Sequence, residues 1–146
     1  MSLSVQELIQ AQATAIHAAC WQLSGQRMEG LRRGVEQACL LPGRFDWDRK
    51  AAAHAEIFTM LADAVRDPVL RQVLKSGAGL AHHLMMAAGP AADDVIRSCW
   101  RRVLACLRAG DPGSAADELE SQLRILHLMS RLAGRDTAAG AVALRR

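Results

Sequence analysis

The stretch from Ala51 to Leu70 constrains the fold most, because its apolar residues recur at helical spacing and a single imidazole interrupts them. One face of this helix collects residues at i, i+3, i+4, i+7, i+8 and i+11, namely His54, Ile57, Phe58, Leu61, Ala62 and Val65. The opposite face is predicted to carry charged residues, namely Lys50, Glu56, Asp63 and Arg66. Asp67-Pro68 ends the helix and begins the next one. The pattern predicts a core-facing helix with His54 directed into the interior.

The rest of the chain also divides into amphipathic helices joined by short loops. Ser4 with Glu7 forms a capping-box pattern, Asp46 or Asp48 can cap the third helix, and Ser114 is predicted to cap the sixth. Hydrophobic residues make up 51% of the chain but aromatic residues only 3%, a composition that favours helices over sheet. We therefore predict an all-α protein, an antiparallel bundle of about six helices over residues 1–134. A flexible tail is predicted over residues 135–146, after a helix end near Gly134.

The overall charge and the cysteines narrow the class of protein. The net charge is +3, from 18 basic and 15 acidic residues, which is too even to predict nucleic-acid binding by this chain itself. Its four cysteines include no CxxC pair, so we interpret them as small apolar residues of a reduced, cytoplasmic protein. Neither a signal peptide nor an apolar run long enough for a membrane span is recognised.

Two stretches resemble the C-terminal effector-binding domain (FCD type) of GntR-family, FadR-branch transcription regulators. Residues 57–70, IFTMLADAVRDPVL, resemble the family's third helix, whose Asn-Pro-x-Leu end falls on Asp67-Pro68-Val69-Leu70. Residues 100–115, WRRVLACLRAGDPGSA, resemble a later family pattern of a histidine, an apolar pair, Gly-Asp and an Ala-rich helix start. The resemblance covers most of residues 5–133 and implies a bundle like the FadR C-terminal domain.

The resemblance also implies positions for a metal site, because members of this family often hold a divalent ion inside the bundle. Carried over, the ligand positions are His54, Phe58, Trp100 and Gln122. Phe and Trp cannot coordinate a metal, and a neutral amide is a poor ligand for zinc or nickel. We therefore predict that the family metal site is degraded and that the chain binds neither a metal nor a cofactor there.

His54 and Gln122 should still converge inside the bundle, on separate helices. Burying both without partners would cost a few kcal/mol. Either a cavity with water or a ligand satisfies them, or they belong to a filled polar core in which His54 bonds a carbonyl. We interpret the region as a small-molecule pocket, and the candidate binding residues are His54, Phe58, Trp100, Gln122, Gln12 and His83. An alternative for His83 is a helix surface near an interface.

The function implied by the resemblance is small-molecule sensing and dimerisation in a transcription regulator. Its partners would be a small organic effector, such as a partly apolar acid, a second copy of the chain, and DNA only through a winged helix-turn-helix domain that this chain lacks. A ligand-free oligomerisation module and a tetracycline-repressor-type sensor remain alternatives. An enzyme is not expected, because the chain has no nucleophile motif and no paired carboxylate or histidine ligands at helical spacing.

Overall fold

A computed structural model describes residues 3–41 and 46–145, with side chains as far as residue 134. The described part is helical, with six α-helices in the order α1 (Val5–Gln22), α2 (Gly25–Leu40), α3 (Trp47–Ala62), α4 (Pro68–Ala88), α5 (Asp93–Arg108) and α6 (Pro112–Arg145). A short 3₁₀ turn, Pro90–Ala92, joins α4 to α5. The prediction of an all-α bundle of about six helices is confirmed. No described helix is both long enough and apolar enough to cross a lipid bilayer.

Two helices begin at residues that were predicted to cap them, Ser4 and Asp46, and a third begins after a cap that was not predicted, Asp67. Ser4 accepts a hydrogen bond from the backbone of Glu7, and the Glu7 carboxylate accepts one from the Ser4 backbone. Asp46 caps α3 with its side chain, and Asp67 caps α4 directly before Pro68. These bonds satisfy amides that the first turn of a helix leaves without a partner.

The ends of α6 differ from the prediction. Its cap is Asp111, whose carboxylate accepts from the Ser114 backbone at 3.0 Å and from the Ser114 hydroxyl at 2.6 Å. The helix therefore begins at Pro112, and the prediction that Ser114 is the cap is wrong. The backbone stays helical through Gly134 to Arg145, so Gly134 does not end the helix. The predicted flexible tail falls on residues 135–146, whose side chains lie outside the described residues.

The core forms where α3, α4 and α6 bring their inward faces together. α4 packs against both α3 and α6, while α1 packs on α6 and α4, α2 on α3, and α5 on α6. The largest fully buried side chains include residues from each of these helices, such as Ile16, Leu31, Phe58, Leu84 and Trp100. This arrangement surrounds the inward face of α3 and removes His54 from solvent.

A close approach between α1 and α4 depends on Gly77. The Gln12 side chain is 5% exposed and donates from Nε2 to the Val73 carbonyl at 2.6 Å. A Cβ added at Gly77 would lie 2.2 Å from Gln12 Oε1, which is far inside van der Waals contact. The Ser76-to-Gly79 segment does not break α4, which is continuous from Pro68 to Ala88.

We predict opposite effects for two glycines in the same helix. Gly77→Ala should destabilise the protein by about 1–3 kcal/mol, because the new methyl group forces the buried Gln12 amide out of its hydrogen bond. Gly79→Ala meets open space and should stabilise α4 by up to about 1 kcal/mol. Urea unfolding measures both changes. Because the clash is with one side chain, the Gly77→Ala penalty should shrink in a Gln12→Ala background, and an unchanged penalty would contradict this account.

Candidate functional site

The candidate site is organised by three residues of α3 that follow one another at four-residue spacing. Lys50, His54 and Phe58 therefore lie one above another on the inward face of the helix. Trp47 fixes the start of α3 against α4, since its indole Nε1 donates to the Met85 carbonyl at 3.0 Å. The other side chains of the site come from α5 and α6.

Lys50 is a buried cation rather than a surface residue. It is 3% exposed, and its Nζ lies 3.0 Å from each carboxylate oxygen of Asp93 at the start of α5. The prediction that Lys50 lies on the solvent face is wrong, because the residue one turn before His54 shares its face. Burying this ammonium is tolerable only because the Asp93 carboxylate pairs with it.

His54 is fully buried beside this ion pair. Its Nε2 lies 3.6 Å from Asp93 Oδ1, too far for a normal hydrogen bond, and neither ring nitrogen has a hydrogen-bond partner among the described residues. Burial lowers the pKa of His54 from 6.5 to about 4, with Asp93 opposing the shift and Lys50 adding to it. At neutral pH the ring is therefore uncharged, with one nitrogen as a donor and the other as an acceptor.

A second cation competes for the same carboxylate. Arg97 Nη1 lies 3.8 Å from Asp93 Oδ2, while the Arg97 Nε is buried without a hydrogen-bond partner in the described structure. Lys50, His54, Asp93 and Arg97 make up what we call the interior charged cluster. With His54 neutral, it holds two positive charges and one negative charge, a surplus that favours the approach of an anion.

Phe58 and Trp100, two of the implied ligand positions, pack on each other. Their ring centroids are 6.0 Å apart at an interplanar angle of 63°, and both side chains are fully buried. This edge-to-face contact adds to the stability gained by burial. The Trp100 indole nitrogen, however, has no acceptor among the described residues. At these two positions, where the resemblance implies metal ligands, the structure has aromatic carbon and one unpaired N–H donor.

Gln122 on α6 is a further buried polar residue without a partner among the described residues. It is 1% exposed, and neither its amide nitrogen nor its amide oxygen has a hydrogen-bond partner in the described part. The neighbouring Cys99 thiol donates to the Glu118 carbonyl at 3.3 Å, and burial raises the pKa of Cys99 to about 12, with the nearby Gln122 side chain opposing that shift. His54 therefore bonds neither Gln122 nor a backbone carbonyl among the described residues, whereas the filled-core alternative has His54 bonded to a carbonyl.

The remaining two candidate residues lie elsewhere. Gln12 sits at the α1–α4 contact with its Nε2 bonded to Val73, although its Oε1 is left unpaired. His83 is exposed on α4, so the prediction that it lines the interior pocket is wrong. Its neighbour His82 makes a surface contact with Asp48, at 3.1 Å.

Sequence reasoning missed the charged members of the site. Lys50 could have been found from its spacing to His54, but its charge suggested a solvent-facing position. Asp93 is an acidic residue in the first turn of α5, a position that the helix dipole alone would explain. Only the packing of α5 near α3 reveals that Asp93 is also the partner of Lys50.

From the lowered pKa of His54 we predict how the stability of the folded chain depends on pH. Between pH 6.5 and pH 4, His54 binds a proton in the unfolded chain but not in the folded chain. The free energy of unfolding therefore decreases as pH falls through that window, by up to about 3 kcal/mol. Above pH 6.5 this contribution to stability is fully present. Urea unfolding between pH 7 and pH 4.5 should show a shallower loss in His54→Leu than in the unmodified chain.

His83→Leu is the matched control for this measurement, because it removes an imidazole that is exposed on α4 rather than buried. Comparing the two variants removes the contribution of carboxylates that titrate in both. Identical pH profiles for His54→Leu and His83→Leu would show that His54 is not the group responsible.

Taken together, the site offers hydrogen-bond donors and acceptors from three helices, next to a surplus of positive charge. Its donor set does not suit the metal that the family resemblance implies, because Phe58 and Trp100 supply no ligand atom. Among the described residues, no group of three or more His, Cys, Asp or Glu is placed to hold a metal ion. No protein-family model, curated protein or solved structure matches this chain.

Proposed function

We propose that this chain is the effector-binding and dimerisation domain of a GntR-family, FadR-branch transcription regulator. The observation that carries the proposal is the set of buried polar side chains without partners, His54, Trp100 and Gln122. They come from α3, α5 and α6 and occupy positions at which the resemblance implies ligand binding. A core selected for stability alone would favour apolar residues here, since each unpaired buried group costs about 1–3 kcal/mol.

The chemistry of the interior favours an acid with an apolar body as the effector. A carboxylate can accept from His54 and the Trp100 indole and is drawn by the surplus charge of Lys50 and Arg97. The Phe58 and Trp100 rings offer apolar contact to the rest of the molecule. A sugar, with many hydroxyl groups and no charge, fits this combination less well.

A homodimer is the second part of the proposal. Large apolar side chains are exposed on several helices, among them Val69 at 69%, Leu128 at 56% and Leu132 at 48%. Leu128 and Leu132 lie one turn apart on α6, so they form a continuous apolar stripe. In the regulator as proposed, DNA would be bound by a separate winged helix-turn-helix domain.

The homodimer can be tested by light scattering, which should give the mass of two chains of 15.8 kDa each. A monomer would contradict the homodimer proposal.

A ligand-free oligomerisation module is the competing function, and the Lys50–Asp93 pair favours it. Both charges are already engaged within the chain at 3.0 Å, and Phe58 packs directly on Trp100. If the chain binds no ligand, the unpaired polar groups of His54, Trp100 and Gln122 only lower the stability of the fold, by an amount that the rest of the core offsets. The two functions differ in whether any small molecule stabilises the folded chain through His54.

A thermal-shift screen of small carboxylic acids should decide between them. Binding to the folded state at 100 times Kd adds about 2.7 kcal/mol of stability, which is readily detected as a rise in Tm. We expect acids with a short apolar body to raise the Tm of the unmodified chain, and His54→Ala or Gln122→Ala to reduce that rise. The exposed variants His83→Ala and Gln37→Ala serve as matched controls and should respond like the unmodified chain.

Two results would overturn this assignment. A stabilising acid whose effect survives both His54→Ala and Gln122→Ala binds elsewhere. Stoichiometric binding of zinc or nickel in calorimetry, abolished by His54→Ala, would show that a metal site exists despite Phe58 and Trp100. A screen of acids without any stabilising compound would favour the oligomerisation module.

A further inference from the structure

A second candidate site lies at the opposite end of α3 from Lys50, in a cleft between two helix junctions. The α1–α2 junction forms one wall and the α3–α4 junction the other. We call it the Arg–Trp cleft, and its principal lining residues are Trp21, Ser24, Arg27, Arg66, Asp67 and Arg71. Its volume of about 1030 Å³ is at the upper end of the range typical of small-molecule sites. None of its residues belongs to the interior charged cluster.

Hydrogen bonds across the junctions hold the walls in place. The Gln22 side-chain oxygen accepts from the Arg66 backbone at 3.0 Å, which ties the end of α1 to the α3–α4 connection. Arg71 donates from Nε and Nη2 to the Val65 carbonyl, at 3.1 and 2.7 Å. The Arg71 side chain is therefore partly used in a hydrogen bond within the protein. Arg27 and Arg66, by contrast, make hydrogen bonds in the cleft walls only through their backbone amides.

The cleft carries unbalanced positive charge. Arg27 and Arg66 are exposed, and neither has an ion pair with a carboxylate in the described part of the chain. Asp67 is the acidic residue among those lining the cleft, and its Oδ1 already accepts from the Val69 and Leu70 amides. Guanidinium groups left without carboxylates in a concave surface favour an anion, and their paired N–H groups match phosphate oxygens well.

Trp21 supplies a flat apolar surface beside these charges. It lies in the last turn of α1 and its side chain is 69% exposed, although Trp is a residue that proteins usually bury for most of its area. An indole face next to guanidinium groups can stack on a planar ring, a contact worth about 1–3 kcal/mol per nucleobase. Charge and ring together select a ligand that carries both an anionic group and a flat ring.

We propose that the Arg–Trp cleft binds an organic phosphate that carries a planar ring, with a nucleoside monophosphate as the simplest example. Arg27 and Arg66 contact the phosphate, and Trp21 stacks on the ring. This site is independent of the acid site inside the bundle, so either can fail without affecting the other.

Calorimetry on the full chain with three probes tests this assignment. Adenosine 5′-monophosphate should bind with saturation, while adenosine and inorganic phosphate should each bind at least about tenfold more weakly, because each lacks one of the two contacts. The double variant Arg27→Ala/Arg66→Ala and the single variant Trp21→Ala should each weaken binding of the monophosphate by about tenfold or more. Arg33→Ala removes an exposed arginine of α2 outside the cleft and should leave the affinity unchanged.

The outcomes that would overturn the proposal are equally specific. Absence of saturable binding of the monophosphate at millimolar concentration would refute it. Adenosine binding as tightly as the monophosphate would show that the arginines do not recognise the phosphate. An affinity that falls as much in Arg33→Ala as in the double variant would indicate attraction to the general surface charge rather than a site.

Discussion

The pairing of Lys50 with Asp93 is the interaction on which the interior of this bundle depends. A helical carbonyl can accept a hydrogen bond from a buried ammonium but does not neutralise its charge, so Lys50 needs a carboxylate, which another helix supplies. Neutral donors have an easier solution, because a helical carbonyl has a second lone pair. Trp47 uses the Met85 carbonyl in this way and Cys99 uses that of Glu118. Lys50 requires a full charge, which Asp93 supplies from the first turn of α5 at 3.0 Å.

Other buried polar groups lack the partner that Lys50 has. His54 and Gln122 are as deeply buried as Cys99, which does find a carbonyl, yet no hydrogen bond reaches them among the described residues. The charges of Lys50 and Asp93, the unpaired His54 ring and the Phe58–Trp100 contact lie along one face of α3. This coincidence supports a ligand site more than it supports a core that only packs, although the Phe58–Trp100 contact limits the space.

Much of the fold could be predicted because its signals are local. Capping by Ser4 and by Asp46 depends on residues within one turn, and the burial of His54 follows from helical spacing. Non-local features could not be predicted in this way. The partner of Lys50 lies on another helix, and the continuation of α6 beyond Gly134 contradicts a local stop signal. The pocket residues were predicted only in part, since spacing identifies a face of a helix but not which element covers it.

The fit between Gln12 and Gly77 has a consequence for how this sequence can change over time. A side chain at position 77 has no room while a glutamine occupies position 12, and a smaller residue at position 12 would leave a gap beside the glycine. The two positions are far apart in the chain but share one small volume. We expect them to covary among related sequences, with any gain of a side chain at position 77 accompanied by a shorter residue at position 12. Substitution at either site alone passes through a less stable intermediate sequence.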